Sequence, residues 1–271
     1  MKKFKKYLTP KNILLMICVI VFCVSAGLLL QKYVQEKGAQ KYYESLSGTS
    51  TQNEPVNGTE DVLSKDIFMY LGIENPNKVL DWEYLWEQNE DIYAWIYIPD
   101  TNIDYPILQH ETDDTYYLEY NLDGTKGYPG CIYTEKINAK DFSDHNTLIY
   151  GHNMKNGTMF HDLHNFADET FFAEHRYIFI YMPEKVLVYD IYGAYKFTNA
   201  HILYNYDCNS EEGFASYLEL IESNYGTQGN FRDGVEVTGS DHIITLSTCV
   251  GGEDDKRYLV QGVLVEYEIE E

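Results

Sequence analysis

The sequence predicts a mostly β domain, an all-β barrel or sandwich, carried behind one apolar N-terminal segment. Two observations carry the β assignment. From Ile92 onward, short runs rich in Val, Ile, Tyr and Phe are separated by turn signals, which is how a chain of short strands reads. The 26 Tyr, 12 Phe and 3 Trp give the chain far more to bury than a disordered one carries, and a single core can form from about residue 65 onward. A third observation sets the apolar segment apart. Ile13–Leu30 holds no charge, a length near the lower limit for crossing a bilayer.

The elements follow in order. Residues 1–12 carry five lysines and no acid, so they stay on the cytoplasmic side and leave the rest of the chain outside. The rival reading is a cleaved signal peptide with Val24-Ser-Ala26 as its processing site. Against it, Gly27-Leu-Leu-Leu30 continues the apolar run past that site. The expected organisation is a basic tail over 1–12, a transmembrane anchor over 13–30, a polar stalk over 31–64 and a folded domain over 65–271. The first part of the stalk, to about Leu46, is able to continue the membrane helix.

Residues 61–71 and 79–89 show helical apolar spacing and are parted by Asn75-Pro76. Strands are expected near 93–98, 103–108, 130–134, 146–152, 177–182, 186–197, 242–249 and 257–268. Helical insertions are expected over 158–173 and 210–223, the second with Ser210 as N-cap and Glu211-Glu212 in its first turn. Residues 250–256, with two glycines and three acids, read as a loop.

The net charge of −23 excludes a nucleic-acid partner and fits a solvated surface on an extracellular protein. Of five cysteines, Cys18 and Cys23 fall in the apolar span. Cys131, Cys208 and Cys249 remain, an odd number that makes no disulfide framework. Cys131 and Cys208 read as buried thiols, with a bridge between them as the lesser alternative.

The chemistry concentrates at strand ends. Cys249 closes the run His242–Cys249, and Arg257 opens the run after the glycine loop. If these two strands pair antiparallel, cysteine and cation become neighbours at one sheet edge, where a thiol can be activated. His152 ends the run Asn146–His152, again where strand meets loop. Together they supply a nucleophile, a proton-transfer group and a fixed cation, the parts needed to attack an acyl carbon and pass the acyl group on. Each has a plainer reading by itself, because a lone cysteine is more often a small buried hydrophobe.

These blocks resemble the sortases, and among them class B. The resemblance rests on Thr245-Leu-Ser-Thr-Cys249, Arg257, Asn146-Thr-Leu-Ile-Tyr-Gly-His-Asn153, Gly157-Thr-Met-Phe160 and the stretch Trp95–Gln109. It covers the chain from about Val79 to the C-terminus. It implies a closed eight-stranded β-barrel with N-terminal helices and a helix in the connection before the penultimate strand. It also implies a membrane-anchored cysteine transpeptidase of the Gram-positive cell surface that needs no cofactor. Cys249 would attack the Thr carbonyl of a C-terminal sorting motif, typically of the Asn-Pro-x-Thr kind, on a secreted protein. His152 would move protons, and Arg257 would hold the oxyanion. The acceptor would be an amine of a peptidoglycan precursor or a pilin lysine. Ser247 and Thr248 would be substrate-groove residues. The alternative is a cysteine peptidase that hydrolyses cell-wall peptides, and a non-catalytic anchored binding module is a third reading. No metal site is expected, because His161-x-x-His164 with His175 lacks a matching ligand set and Glu253-Asp254-Asp255 lacks calcium-loop spacing.

Overall fold

The computed structural model describes residues 9–48, 62–76 and 78–266. The basic tail up to residue 8, the stalk over 49–61 and the end of the expected last strand lie outside the described residues. Two compact units are present, residues 1–42 and residues 43–271. The first consists of most of helix α1 (Pro10–Gly48), a single helix long and apolar enough to cross a membrane. The last turn of α1 belongs to the second unit. Tyr43 is buried there, and its hydroxyl donates to the Gly130 carbonyl at 3.0 Å.

The second unit is a closed mixed barrel of eight strands. They are β1 (Ile92–Tyr97), β2 (Asp104–Leu108), β3 (Ile132–Thr134), β4 (Asn146–Tyr150), β5 (Tyr177–Tyr181), β6 (Val186–Thr198), β8 (Ile243–Val250) and β9 (Glu253–Leu264). Their order is β5-β1-β2-β3-β4-β8-β9-β6, and a β5–β6 pairing closes the ring. The two-residue β7 (Asn230–Phe231) is appended to β6. Two neighbouring pairs, β2–β3 and β4–β8, are parallel and therefore need crossover connections. Those crossovers carry the helices α4 (Tyr116–Glu119), α5 (Glu169–Glu174), α6 (Ile202–Asn205) and α7 (Glu211–Tyr225). Ile96, Ile107, Ile149, Ile180, Ile244, Leu246 and Val260 are wholly buried, as inward-facing positions of a small filled barrel are.

Helix α7 begins as expected, with the Ser210 hydroxyl accepting from the Gly213 amide at 3.1 Å. Phe214, Tyr217 and Ile221 recur at helical spacing and pack on Tyr195, Phe197 and Leu259 of the barrel. Beneath them lies Gln261, 0% exposed, with both ends of its amide satisfied. Its oxygen accepts from the hydroxyls of Tyr192 (3.0 Å) and Tyr195 (2.9 Å), and its nitrogen donates to Tyr217 (3.1 Å) and Thr245 (2.9 Å). Thr245 in turn donates to Asn146 at 2.8 Å. One buried amide thus fixes β9, β6, β8 and α7 in register.

Several expectations are corrected. Residues 250–256 are not a loop. Gly251 and Gly252 make a two-residue turn, and Glu253 already pairs with Val250. A Gly-Gly pair between two strands is a hairpin signal, and Gly252 takes the positive φ such a turn requires. The helical insertion over 158–173 is two pieces, a 3₁₀ helix His161–Ala167 and then α5. They are broken at Asp168, whose carboxylate accepts from the Thr170 and Phe171 amides and starts a new helix. The helix expected over 79–89 is α3 (Trp82–Gln88), shortened because Asp81 caps it by accepting from the Tyr84 amide. The other N-terminal helix is α2 (Val62–Leu71). Cys131 and Cys208 form no bridge and are both free and buried. Burial pushes the Cys131 thiol up to about 12 and the Cys208 thiol up to about 11, which leaves both un-ionised at neutral pH.

Candidate active site

The site is built where β4, β8 and β9 end together. In the β8–β9 hairpin, Cys249 lies directly opposite Arg257. The strand therefore turns Cys249 out at the rim, where it is exposed. Arg257 donates from Nη1 to the carbonyls of Lys256 (2.9 Å) and Asp254 (3.2 Å). Neither partner is a carboxylate, so these bonds orient the guanidinium without neutralising it.

The parallel β4–β8 pairing brings in the histidine. Tyr150 is the partner of Ser247, and the ladder continues one step past the strand. The Gly151 amide donates to the Ser247 carbonyl at 3.2 Å, and the Thr248 hydroxyl donates to the Gly151 carbonyl at 2.8 Å. The two backbones stay adjacent up to the points where His152 and Cys249 emerge. Neighbouring strands lie about 5 Å apart, within reach of two side chains that face one space. Only glycine fits at 151, since a Cβ there would lie 2.5 Å from the Ile132 side chain and 2.7 Å from Phe160.

His152 is oriented by its surroundings. Its Nε2 lies 2.9 Å from the Leu118 carbonyl, an atom that only accepts, so Nε2 carries the hydrogen and donates. That leaves Nδ1 as the nitrogen able to take up and release a proton. The Tyr128 ring packs edge-on against the imidazole at 5.2 Å. The Phe160 amide donates to the His152 carbonyl at 3.0 Å and holds the backbone from below.

Ser247 and Thr248 are both buried, at 5% and 2% exposure, and the Thr248 hydroxyl is engaged in closing the strand ends. One wall beside them is aromatic. Tyr133 and Tyr150 stack at 5.4 Å, the Tyr150 hydroxyl meets His201 Nε2 at 3.1 Å, and the same nitrogen lies 2.6 Å from Glu135. Burial first, then nearby Glu135, pushes both phenols upward, so they remain neutral hydrogen-bonding groups.

Sequence reasoning missed Leu118 and Tyr128, which hold the histidine, and the one-turn helix α4 that presents Leu118. A signal for α4 was present in Tyr116 and Tyr120, spaced one turn apart, whose rings stack at 4.3 Å. It also missed the contacts of Asn153 and His164 with the Cys249 carbonyl, at 3.0 and 3.1 Å. His161, His164 and His175 do not form one cluster: the first two share Asn153, and the third bonds elsewhere. The first bonds Asn153, the second the Cys249 carbonyl and the third the Phe171 carbonyl. Among the described residues no group of three or more His, Cys, Asp or Glu is arranged to hold a metal.

A cysteine exposed at a barrel rim, with a cation opposite and a histidine on the adjoining strand end, has the parts that thiol-based acyl transfer needs. Residues 96–265 match the family model described as the sortase domain, and the chain belongs to the sortase family. Its relatives narrow this to class B, whose members are cysteine transpeptidases. Sortase B of Listeria monocytogenes is 36% identical over 179 residues, covering 65% of this chain and 71% of that protein. Sortase B of Staphylococcus aureus is 25% identical over 265 residues, covering 97% and 98%. The crystal structure of Clostridium perfringens sortase B superposes with a TM-score of 0.62 at 29% identity, covering 69% of this chain and all of that one.

Proposed function

We propose that this chain cleaves a C-terminal sorting motif after its Thr and transfers the protein to an amine at the cell surface, with Cys249 as nucleophile. The observation that supports the reading is the pairing of Cys249 with Arg257 across β8–β9, beside the end of β4 from which His152 emerges. Cys249 passes its thiol proton to His152 Nδ1, the resulting thiolate attacks the Thr carbonyl carbon, and the Arg257 guanidinium donates to the oxyanion. The C–N bond then breaks, and the leaving amine takes a proton from His152 Nδ1. A thioester remains. The incoming amine attacks it, gives its proton to His152, and the C–S bond breaks to restore the thiolate.

His152→Ala and Arg257→Ala are each expected to lower kcat/KM at least about a hundredfold, the scale of a lost proton-transfer or oxyanion group. Arg257→Lys is expected to be poor as well, since an ammonium lacks the planar fork of donors. Activity within threefold of the parent for all three would remove the assigned roles.

The acceptor is a primary amine, from a cell-wall precursor or from a pilin lysine. Product analysis with and without each amine tests transfer against hydrolysis. An amide product supports transfer, because an amine held beside His152 outcompetes water through its effective concentration. Free acid alone, with every amine tried, makes the protein a peptidase instead.

Helix α1 is read as a membrane anchor with the N-terminus inside and the enzyme domain outside. The full chain is expected to stay with membranes through a high-salt wash, and a reporter fused after Glu271 is expected outside the cell. Release of a mature form beginning near Gly27 into the medium would make the segment a cleaved signal instead.

A further inference from the structure

Beneath the rim residues lies a second set of polar side chains that the mechanism above does not use. Asn153 directly follows His152, and its Nδ2 lies 3.0 Å from the Cys249 carbonyl oxygen. His164 Nε2 lies 3.1 Å from the same oxygen. A carbonyl oxygen has two lone pairs and no hydrogen, so both nitrogens donate to it. The 3.0 Å separation between Asn153 Nδ2 and His164 Nε2 is then two donors meeting on one acceptor. The Cys249 carbonyl, which only accepts, sets the amide orientation of Asn153, and Oδ1 then accepts from His161 Nδ1 at 2.9 Å. Desolvation, the leading cause, holds His164 below the ordinary histidine value, so it acts as a neutral N–H donor.

The set reaches the third site residue as well. The His164 ring packs against Tyr258 at 4.9 Å, and Tyr258 directly follows Arg257. An antiparallel bridge between Asn153 and Met159 closes the loop that carries Asn153, which keeps its side chain in place. Asn153 and His164 therefore touch the backbone of the nucleophile and the immediate neighbours of the histidine and the arginine. They come from two elements, the loop after β4 and the 3₁₀ helix, that have no strand pairing with β8.

We propose that Asn153 and His164 are positioning residues, which fix the Cys249 carbonyl and so hold the nucleophile at the distance and angle from His152 that acyl transfer requires. The proposal rests on the assignment of Cys249 and His152 in the preceding subsection. Its physical basis is that a displacement of about 1 Å in a reacting group can lower a rate on the order of a hundredfold without weakening substrate binding.

The test uses the full chain in detergent and a sorting-motif peptide. Asn153→Ala removes one donor. His164→Phe keeps the packing on Tyr258 and removes the other, while His164→Gln restores an N–H. The expected result is a fall in kcat of tenfold or more for Asn153→Ala and for His164→Phe, with KM within twofold of the parent, and recovery of at least half that loss in His164→Gln. Parent-like kcat in both Asn153→Ala and His164→Phe overturns the proposal. So does a loss of kcat that His164→Gln does not recover, since that pattern marks plain packing. If His164→Phe fails to fold, the kcat and KM of Asn153→Ala decide alone. Cys249→Ala, run alongside, separates the two levels. Activity in that variant sinks the nucleophile assignment itself, whereas an inactive Cys249→Ala beside parent-like Asn153→Ala and His164→Phe sinks only the positioning role.

Discussion

Cys249→Ala is expected to abolish turnover of a sorting peptide and to leave the fold intact. The side chain is exposed at the end of β8, and its neighbours Ser247 and Thr248 keep their buried contacts without it. No other described thiol can take over. Cys131 and Cys208 are buried and un-ionised at neutral pH, and Cys18 and Cys23 lie in the apolar helix α1. The loss should therefore exceed that of His152→Ala, where a thiolate still has its oxyanion partner. Peptide turnover by Cys249→Ala within tenfold of the parent would require another nucleophile.

Gln261→Leu is expected to cost stability more than any single change at the rim. Its amide is the common partner of Tyr192, Tyr195, Tyr217 and Thr245, all buried. Leucine has nearly the same volume, so the cavity cost is small. The loss is in polar satisfaction. The Tyr192 and Tyr195 hydroxyls lose their acceptor, and an orphaned buried donor costs about 1–3 kcal/mol. Two orphans together predict a loss of about 3 kcal/mol or more. Denaturant unfolding in detergent, compared at unchanged slope, reads this as a lower midpoint. A loss under about 1 kcal/mol would mean that the four bonds contribute little to the fold. Activity should fall with stability, because Thr245 sits on the strand that carries Cys249.

What was legible in the sequence follows from the range of each interaction. The strands β1, β2, β4, β6 and β8 were readable because alternation and β-branched runs are local. The facing of Cys249 and Arg257 was readable as the antiparallel pairing of two strands, but the register shift behind it was not: Val250 pairs with Glu253, so Asp254, Asp255 and Lys256 have no partner on β8. The start of β9 was not readable either, because Glu253, Asp254 and Asp255 are exposed on an extension of the strand. Exposed strand residues carry no hydrophobic pattern, and Glu253 pairs with Lys196 across from β6 at 2.6 Å, a contact far away in sequence. The one-turn helix α6 was too short to show a period, and α4 offered only the Tyr116–Tyr120 spacing. The holders of the site were illegible for a different reason. Leu118, Asn153 and His164 act on or through backbone carbonyls, and no side-chain motif records which carbonyl a loop will meet.

The strand register also explains why the site residues are scattered in sequence. The strand ends that carry His152 and Cys249 are neighbours only because β4 and β8 pair in parallel, and that requires the long crossover through β5, β6 and α7. The rim is therefore only as rigid as that parallel pair, which Gly151 and Thr248 tie at its end.

The central claim is that Cys249 carries the acyl group. The most direct measurement is intact mass of the full chain after brief reaction with a sorting-motif peptide in the absence of amine. The account predicts an adduct equal to the acyl fragment ending in Thr, attached at Cys249, released by hydroxylamine and absent from Cys249→Ala. Peptide cleavage in the parent with no adduct on Cys249 under any quench, or an equal adduct on Cys249→Ala, would contradict it.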